Sequence, residues 1–384
     1  MEKQGVIVNK VLLISINSLY EHTGGGLYLR TLTKGYVDNG FETKVLCKAE
    51  FNQGSENSIT NKNLSNLFLK KNIISDLVSR FFLCPSFLFY YIIKIFIVAR
   101  KYEIISFHSS RLGMIIFLTK IVYPRKKIIC HFDNVETKLI NQAPINFSLR
   151  GMLTIIDRLL MPLSEWLAIT FSNKNSFITN DDKKYFEKIC RNKDSLILPI
   201  CLTRNSTDNK PAVGVLDRRP SILFTGSFTF FPNVEALHVL LKLAKDNLKY
   251  DFFIAGKGLD KLSLEVTENV YLYSNLSPDD MDSMYKQCDF FLSPIYSGSG
   301  MKTKLAEALS YGLPVLSDHR SVSGYHAAIK DGVVLTYDES IYSYGRFDEM
   351  MNALSKINSE SVYKVFDLNY SDRCASDVIL RLVK

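Results

Sequence analysis

The segment from Phe290 to Val315 contains the residues best suited to chemistry in this sequence. An apolar stretch is followed by glycines, two lysines and a glutamate, at Gly298, Gly300, Lys302, Lys304 and Glu307. Glycines and the first turn of a helix leave backbone N–H groups free to bind phosphate, and lysines add positive charge. A carboxylate one turn further, as at Glu307, can accept hydrogen bonds from a ribose. The segment predicts a site for a nucleotide diphosphate, although an amphipathic helix that ends at Gly312 would explain the same pattern.

A second glycine-rich loop lies near the start of the chain. Gly24, Gly25 and Gly26 follow an apolar run and precede a helical pattern that begins at Leu27. Three glycines allow a ligand to approach the backbone at a helix start, and we predict an acceptor or phosphate loop. The spacing matches neither the dinucleotide fingerprint nor the P-loop.

A third candidate site follows the strand pattern at 127–131. Its polar side chains can polarise or position a hydroxyl group, and we predict a catalytic role for His131, Asp133, Asn134 and Glu136. A histidine at the end of a strand is more often structural than catalytic, so both roles stay open for His131. His108 and Ser109, after the preceding strand, have weaker support for the same role.

The sequence predicts no metal site. Asp280 and Asp282 resemble a metal-binding pair, but the preceding Ser277-Pro278-Asp279 is typical of a helix start. Lys302, Lys304 and backbone donors, rather than a divalent ion, would then stabilise the negative charge of a leaving group.

Strand patterns alternate with helical patterns along the whole chain, which indicates an α/β protein with doubly wound parallel sheets. The predicted strands are 11–16, 43–47, 104–108, 127–131, 168–171, 176–179, 221–225, 250–255, 270–273, 290–294, 314–317 and 332–335. Proline, glycine and asparagine accumulate before Pro220 without apolar periodicity, which indicates a linker. We predict Rossmann-like domains at 1–198 and 221–370 that face each other, a linker at 199–220, and a C-terminal helix at 371–384 that packs back toward the first domain.

Composition and charge limit the classes of partner. The chain has 384 residues, 47% of them hydrophobic, and its seven scattered cysteines favour a reducing cytoplasm over a disulfide framework. Residues 1–200 carry 27 Lys and Arg against 16 Asp and Glu, a balance that suits an anionic membrane surface or a lipid-linked diphosphate. No nucleic-acid motif accompanies this charge. The apolar segment 81–99 contains Pro85 and Lys94, so we predict a helix packed on the sheet, with one face that could touch lipid, rather than a transmembrane span.

Five motifs, in order, resemble GT-B glycosyltransferases of the glycosyl transferases group 1 type. The motifs are Gly24-Gly25-Gly26, Asp133-Asn134-Val135-Glu136, Phe224-Thr225-Gly226-Ser227 with Phe231-Pro232-Asn233, Ile254-Ala255-Gly256-Lys257-Gly258, and Gly298-Ser299-Gly300 with Lys304, Glu307 and Gly312-Leu313-Pro314-Val315. The resemblance covers nearly the whole chain, and the last motif is the most specific.

This resemblance implies a nucleotide-sugar donor in the second domain, an acceptor in the first, no metal or other cofactor, and retention of anomeric configuration. Glu307 would bind the ribose, while Lys304 and the backbone of 298–300 would bind the diphosphate. The implied donor site comprises Gly226, Ser227, Asn233, Gly256, Ser297, Gly298, Ser299, Gly300, Met301, Lys302, Thr303, Lys304 and Glu307. Two positions depart from the family pattern. Ser299 stands where many members have a second glutamate, and Pro199-Ile200-Cys201 replaces the usual Pro-Asn-Gly.

We therefore predict a glycosyltransferase that moves a sugar to a hydroxyl of a lipid-linked acceptor or a growing polysaccharide, in the cytoplasm or at the inner face of the membrane. Two alternatives stay open, namely a nucleotide-sugar epimerase with the same fold and a non-catalytic subunit that binds the nucleotide sugar. An epimerase would need more acid and base groups near the donor, and the subunit would bind without turnover.

Overall fold

The computed structural model describes residues 10–21, 23–49, 63–142, 149–191, 193–204, 218–297, 300–343 and 345–384. They form two compact units, Met1–Ile200 with Asp372–Lys384, and Cys201–Ser371.

Unit 1 is built on a seven-stranded parallel sheet, with the strand order β3-β2-β1-β4-β5-β6-β7. The strands are β1 (Lys10–Ser15), β2 (Glu42–Lys48), β3 (Leu64–Leu69), β4 (Ile104–His108), β5 (Lys127–Phe132), β6 (Lys174–Phe177) and β7 (Ser195–Ile197). The helices are α1 (Gly24–Asp38), α2 (Ile73–Phe81), α3 (Ile92–Ala99), α4 (Gly113–Val122), α5 (Glu136–Gln142), α6 (Leu149–Phe171), α7 (Asn180–Ile189) and the C-terminal helix α14 (Asp372–Val383). Helix α14 packs against α1, where Asn39 donates a hydrogen bond to the carbonyl of Ser376 at 2.8 Å.

Unit 2 is built on a six-stranded parallel sheet, with the strand order β10-β9-β8-β11-β12-β13. The strands are β8 (Ser221–Thr225), β9 (Asp251–Ala255), β10 (Val270–Tyr273), β11 (Phe290–Ser293), β12 (Val315–Asp318) and β13 (Val334–Tyr337). The helices are α8 (Phe231–Asp246), α9 (Pro278–Gln287), α10 (Thr303–Ser310), α11 (His326–Lys330), α12 (Arg346–Leu354) and α13 (Ser359–Asn369).

The strand order places ligand sites within each unit. The chain direction across the sheet reverses between β1 and β4 in unit 1 and between β8 and β11 in unit 2. Loops that follow parallel strands at such a reversal open a crevice at the carboxyl edge of the sheet. The loops after β8 and β11 contain Gly226 and Ser297, so the fold brings two sequence-predicted donor segments to the same edge of unit 2.

Several local predictions differ from the structure. The predicted strand at 168–171 is wrong, because these residues complete the long helix α6. Helix α1 begins at Gly24 rather than Leu27, because the Thr23 hydroxyl accepts a hydrogen bond from the Gly26 N–H at 3.2 Å and caps the helix there. The predicted helix over 81–99 is divided into the end of α2, a 3₁₀ turn at Phe87–Tyr91, and α3. Pro85 lies in the interruption, where its missing N–H and fixed φ disfavour a continuous helix.

Candidate functional site

Two glycines shape the loop edge of unit 2. Gly256 follows β9 with φ of +153°, and a Cβ atom there would lie 1.7 Å from the carbonyl oxygen of Gly226. The Gly226 N–H donates to the carbonyl of Ala255 at 3.0 Å, which holds the two loops together. Only glycine fits this backbone approach without displacement.

Lys304 extends from α10 to this glycine loop. Its Nζ donates to Asn233 Oδ1 at 2.8 Å, and Asn233 Nδ2 donates to the carbonyl of Ser227 at 2.7 Å. The ammonium group also lies 4.3 Å from the ring centre of Phe224. Asn233 therefore links the lysine to the loop after β8, and three predicted donor residues meet in one hydrogen-bonded chain.

The surroundings of Lys304 disfavour its charge. Burial and, to a smaller extent, nearby Lys302 lower the pKa of Lys304 to about 7, while Glu307 partly opposes the change. Burial also lowers the pKa of Lys302. Among the described residues, no ion pair joins a carboxylate to Lys304. An anion near both ammonium groups would restore their protonation and so bind with electrostatic gain.

The start of α10 is held from beneath by Tyr325. The Tyr325 hydroxyl accepts a hydrogen bond from the Ala306 N–H at 2.9 Å and donates to the carbonyl of Lys302 at 2.6 Å. Met301 is buried, whereas Thr303 is partly exposed at the first position of the helix. Lys302 and Lys304 therefore extend from a helix start that hydrogen bonds hold in place. The helix dipole adds partial positive charge there.

Glu307 is fixed by a tyrosine that the sequence patterns did not reveal. The Tyr285 hydroxyl donates to Glu307 Oε2 at 3.0 Å and lies 2.8 Å from Thr225 Oγ1. The Tyr285 ring stacks on Tyr311 with ring centres 4.7 Å apart. Burial raises the pKa of Glu307, while the Tyr285 hydrogen bond and Lys304 oppose that change. The second carboxylate oxygen of Glu307 can accept a hydrogen bond from a ribose hydroxyl.

The loop after β11 is anchored by Glu235 of α8. Ser297 Oγ donates to Glu235 Oε2 at 2.5 Å, and the Tyr296 hydroxyl donates to Oε1 at 3.1 Å. Gly300, with φ of +79°, leads the chain into α10. Gly298 and Ser299 lie outside the described residues, so their predicted roles stay predictions.

Unit 1 contains a cavity of about 400 Å³ at the loop edge of its own sheet. Its lining combines apolar and polar side chains, namely Ile16, Asn17, Thr23, Gly25, Arg111, Asp133, Glu136, Leu139 and Ile140. The first glycine loop and the acidic loop after β5 are thus brought together. Gly25 packs against Asn17, since a Cβ atom at Gly25 would lie 2.2 Å from Asn17 Nδ2.

The two acidic residues of this cavity differ in their partners. Arg111 Nε donates to Glu136 Oε2 at 2.7 Å. Burial raises the pKa of Glu136, Arg111 opposes the change, and Asp133 adds to it. Asp133 Oδ1 is buried with no hydrogen-bond partner among the described residues, and Oδ2 lies 3.5 Å from His108 Nε2. Asp133 is therefore the acidic side chain best placed to receive a ligand hydroxyl.

The other predicted residues of unit 1 lie elsewhere. His131 is fully buried, with Nε2 3.1 Å from the Tyr36 hydroxyl and Nδ1 2.6 Å from Ser176 Oγ. Burial lowers the pKa of His131 to about 3, and His108 contributes. A neutral histidine held by two core hydroxyls is suited to a structural role, and it does not line the cavity. Asn134, Gly24 and Gly26 also lie outside the lining.

In the part of the chain that the structure describes, side chains are not arranged to bind a metal ion. No group of three or more His, Cys, Asp or Glu side chains there is placed to hold a metal ion.

Comparison with known proteins agrees with this geometry. Residues 219–357 match the family described as "Glycosyl transferases group 1". No curated protein matches the chain by sequence. Among solved structures, the sucrose-phosphate synthase of Thermosynechococcus elongatus is 10% identical and aligns over 98% of each chain with a TM-score of 0.71. HepE of Anabaena, solved with UDP-glucose, is 14% identical and aligns over 97% of this chain and 99% of HepE, with a TM-score of 0.62.

A third similar structure is the lipopolysaccharide outer core galactosyltransferase WaaB, which is 13% identical. It aligns over 97% of this chain and 99% of WaaB, with a TM-score of 0.65. The structural matches confirm the predicted GT-B fold, and the family match confirms the predicted glycosyltransferase class.

Proposed function

We propose that the chain transfers a sugar from a nucleoside diphosphate sugar bound in unit 2 to an acceptor hydroxyl bound in unit 1, with retention of anomeric configuration. The proposed acceptor is a lipid-linked sugar or a growing polysaccharide at the cytoplasmic face of the membrane. One observation carries the donor assignment, namely the chain of hydrogen bonds from Lys304 through Asn233 to the glycine loop.

The donor side supplies the stabilisation that the reaction needs. When the bond between the anomeric carbon and the diphosphate oxygen breaks, negative charge develops on the leaving diphosphate. Lys302 and Lys304 at the start of α10 are placed to meet this charge, and preorganised donors of this kind can supply several kcal/mol. Glu307 would hold the ribose so that the diphosphate stays at the helix start. HepE, whose structure contains UDP-glucose, supports a nucleotide sugar as the donor.

The acceptor side offers one free carboxylate oxygen. Asp133 Oδ1 lines the cavity of unit 1 without a protein partner among the described residues. We assign Asp133 to bind and orient the acceptor hydroxyl. The excess of Lys and Arg in residues 1–200 supports an acceptor that carries phosphate or lies at an anionic membrane.

A donor panel tests this function. The purified protein is incubated with UDP-, GDP-, ADP- and dTDP-sugars, with and without a membrane lipid extract, and released nucleoside diphosphate is measured. We expect release from one donor that rises when the extract is present and falls at least about tenfold in Glu307→Ala. Nucleoside diphosphate release that is the same with and without the extract would favour the epimerase, as would conversion of the donor sugar with no transfer. Donor binding without turnover would favour the non-catalytic subunit.

A further inference from the structure

Helix α6 of unit 1 has an inverted distribution of polarity. From Gly151 to Phe171 its exposed positions are all apolar, namely Met152, Ile155, Ile156, Leu159, Pro162, Leu163 and Trp166. Its acidic residues in the same stretch, Asp157 and Glu165, are buried. The exposed positions recur every three or four residues and form one stripe along the helix. A helix of a water-exposed surface normally shows the opposite arrangement, as α13 does by exposing Glu360 and Lys364.

Two other helices of unit 1 also expose apolar side chains. Helix α2 exposes Ile73, Ile74, Leu77 and Phe81, and α3 exposes Ile93 and Ile97. Phe81 is 81% exposed, Leu159 77% and Ile93 73%. Arg80 of α2 donates to Asp157 of α6 at 2.8 Å, so the two helices are joined beneath the exposed side chains. We call these exposed residues of α2, α3 and α6 the apolar helical surface.

Basic residues are frequent in the segment that contains α2 and α3. Between Lys70 and Lys126 ten Lys or Arg side chains accompany only two acidic ones, Asp76 and Glu103. Asp76 is buried and bonded to Arg80 at 3.0 Å, whereas Lys94, Arg100 and Lys101 are exposed. Apolar side chains accompanied by basic ones match the interface of an anionic bilayer, where acyl chains lie beneath negative headgroups.

Charge decides between a bilayer and a second copy of the chain. Two copies that met through this surface would bring their basic residues together, and like charges would oppose the contact. A helix that crosses the bilayer does not explain the surface either, since no helix in the described ranges is both long and apolar enough to do so. Helices that lie in the membrane plane need only one apolar side.

We propose that the apolar helical surface binds the interfacial region of an anionic lipid bilayer, with α6 lying in the membrane plane. The inference deepens the proposed function, on which it rests for its membrane setting, by identifying the residues that enter the lipid. Leu159, Phe81 and Ile93 contribute buried apolar area on binding, and Lys94, Arg100 and Lys101 attract the headgroups.

The sole tryptophan of the chain, Trp166, reports on this contact because it lies on the exposed side of α6. The full chain is mixed with vesicles of phosphatidylcholine, with or without phosphatidylglycerol, and tryptophan emission and co-sedimentation are measured. We expect a blue shift and co-sedimentation with the anionic vesicles, both weakened by salt. The double variant Ile155→Ser and Leu159→Ser should lower the vesicle partition coefficient about tenfold or more. Leu368→Ser, at an exposed position of α13, is the matched control and should bind as the parent does.

Several results would overturn the proposal. One is the absence of a tryptophan blue shift with anionic vesicles, and another is vesicle binding by the double variant that equals that of the parent. A third is a dimer, detected by light scattering and abolished in the double variant, in a protein that does not bind vesicles. Nucleoside diphosphate release is measured in parallel with the membrane lipid extract that supplies the acceptor. Release without vesicle binding rejects the lipid surface alone, and vesicle binding without release rejects the glycosyltransferase alone.

Discussion

Lys304 shows how one partly buried residue can couple donor binding to protonation. Its Nζ lies 2.8 Å from Asn233 Oδ1 in surroundings that lower its pKa to about 7. The unliganded site therefore holds a lysine that is partly neutral at neutral pH. A bound diphosphate favours the ammonium form, because opposite charges at short range raise the pKa of a lysine.

Nucleoside diphosphate affinity should consequently depend on pH. Lys304 is charged below about pH 7 and neutral above it, so affinity should fall as pH rises from 7 to 9, by up to about tenfold per pH unit. Isothermal titration across this range measures the slope. Lys304→Gln should bind weakly with a flat profile, while Lys330→Gln, at an exposed lysine of α11, should keep the parent profile. Parallel slopes in parent and Lys304→Gln would contradict this role.

Glu307 should discriminate between ribose and its deoxy analogue. The parent protein should bind a nucleoside diphosphate at least about tenfold more tightly than the 2′-deoxy compound, since a hydrogen bond to a charged group contributes about 1.5–3 kcal/mol. Glu307→Gln should lose most of this preference, whereas Glu265→Gln, at an exposed glutamate, should retain it. Competition binding with both compounds gives the ratio, and an unchanged ratio in Glu307→Gln would exclude the contact.

The elements differ in how far the sequence predicts them. The proximity of the proposed donor residues from Gly300 to Glu307 was predictable, because they belong to one loop and one helix. Contacts across the sheet were not, since Tyr285 meets Glu307 across 22 residues and Ser297 meets Glu235 across 62. Those partners follow from strand order, which apolar periodicity does not specify. The strand error at 168–171 has a similar cause, because a buried helix end and a buried strand share the same apolar run.

The close approach of two loops in unit 2 predicts a large stability effect. In Gly256→Ala the new Cβ would clash with the Gly226 carbonyl, and the free energy of unfolding should fall by about 3 kcal/mol or more. Gly345→Ala is the control, because its φ of +75° is unfavourable for alanine but no atom lies within 4 Å, so a loss of about 1 kcal/mol is expected. Urea unfolding compares them. Equal losses would show that the loops separate without strain.

Because His131 of strand β5 is buried, we predict that acid lowers the stability of unit 1. The pKa of His131 is lowered to about 3 in the folded protein, against about 6.5 unfolded, so the unfolded chain binds the extra proton. This contribution is fully present above pH 6.5 and is lost as pH falls toward 3. At pH 4.5 the loss should be about 2.5 kcal/mol relative to pH 7. His131→Gln should reduce the pH dependence of unfolding by that amount, and an unchanged dependence would contradict the buried neutral histidine.

At the scale of the whole molecule, the two units carry different chemistry on sheets of the same design. Unit 2 has lysines at a helix start and a glycine loop, which suit a diphosphate leaving group. Unit 1 has a mixed apolar and acidic cavity together with an excess of Lys and Arg, which suits a sugar or lipid-phosphate acceptor. The excess of Lys and Arg in residues 1–200 was visible in the sequence. The apolar face of α6 was not, because the sequence alone does not show which side of that helix packs on the sheet.

The transfer of labelled sugar tests the central claim most directly. The donor identified by the panel is supplied with a radiolabelled sugar, and the labelled acceptor and released nucleoside diphosphate are quantified together. We predict that one labelled acceptor forms for each nucleoside diphosphate released, and that Lys304→Gln reduces both equally. Nucleoside diphosphate accompanied only by free or epimerised sugar, or sugar transfer that persists undiminished in Lys304→Gln, would contradict the account.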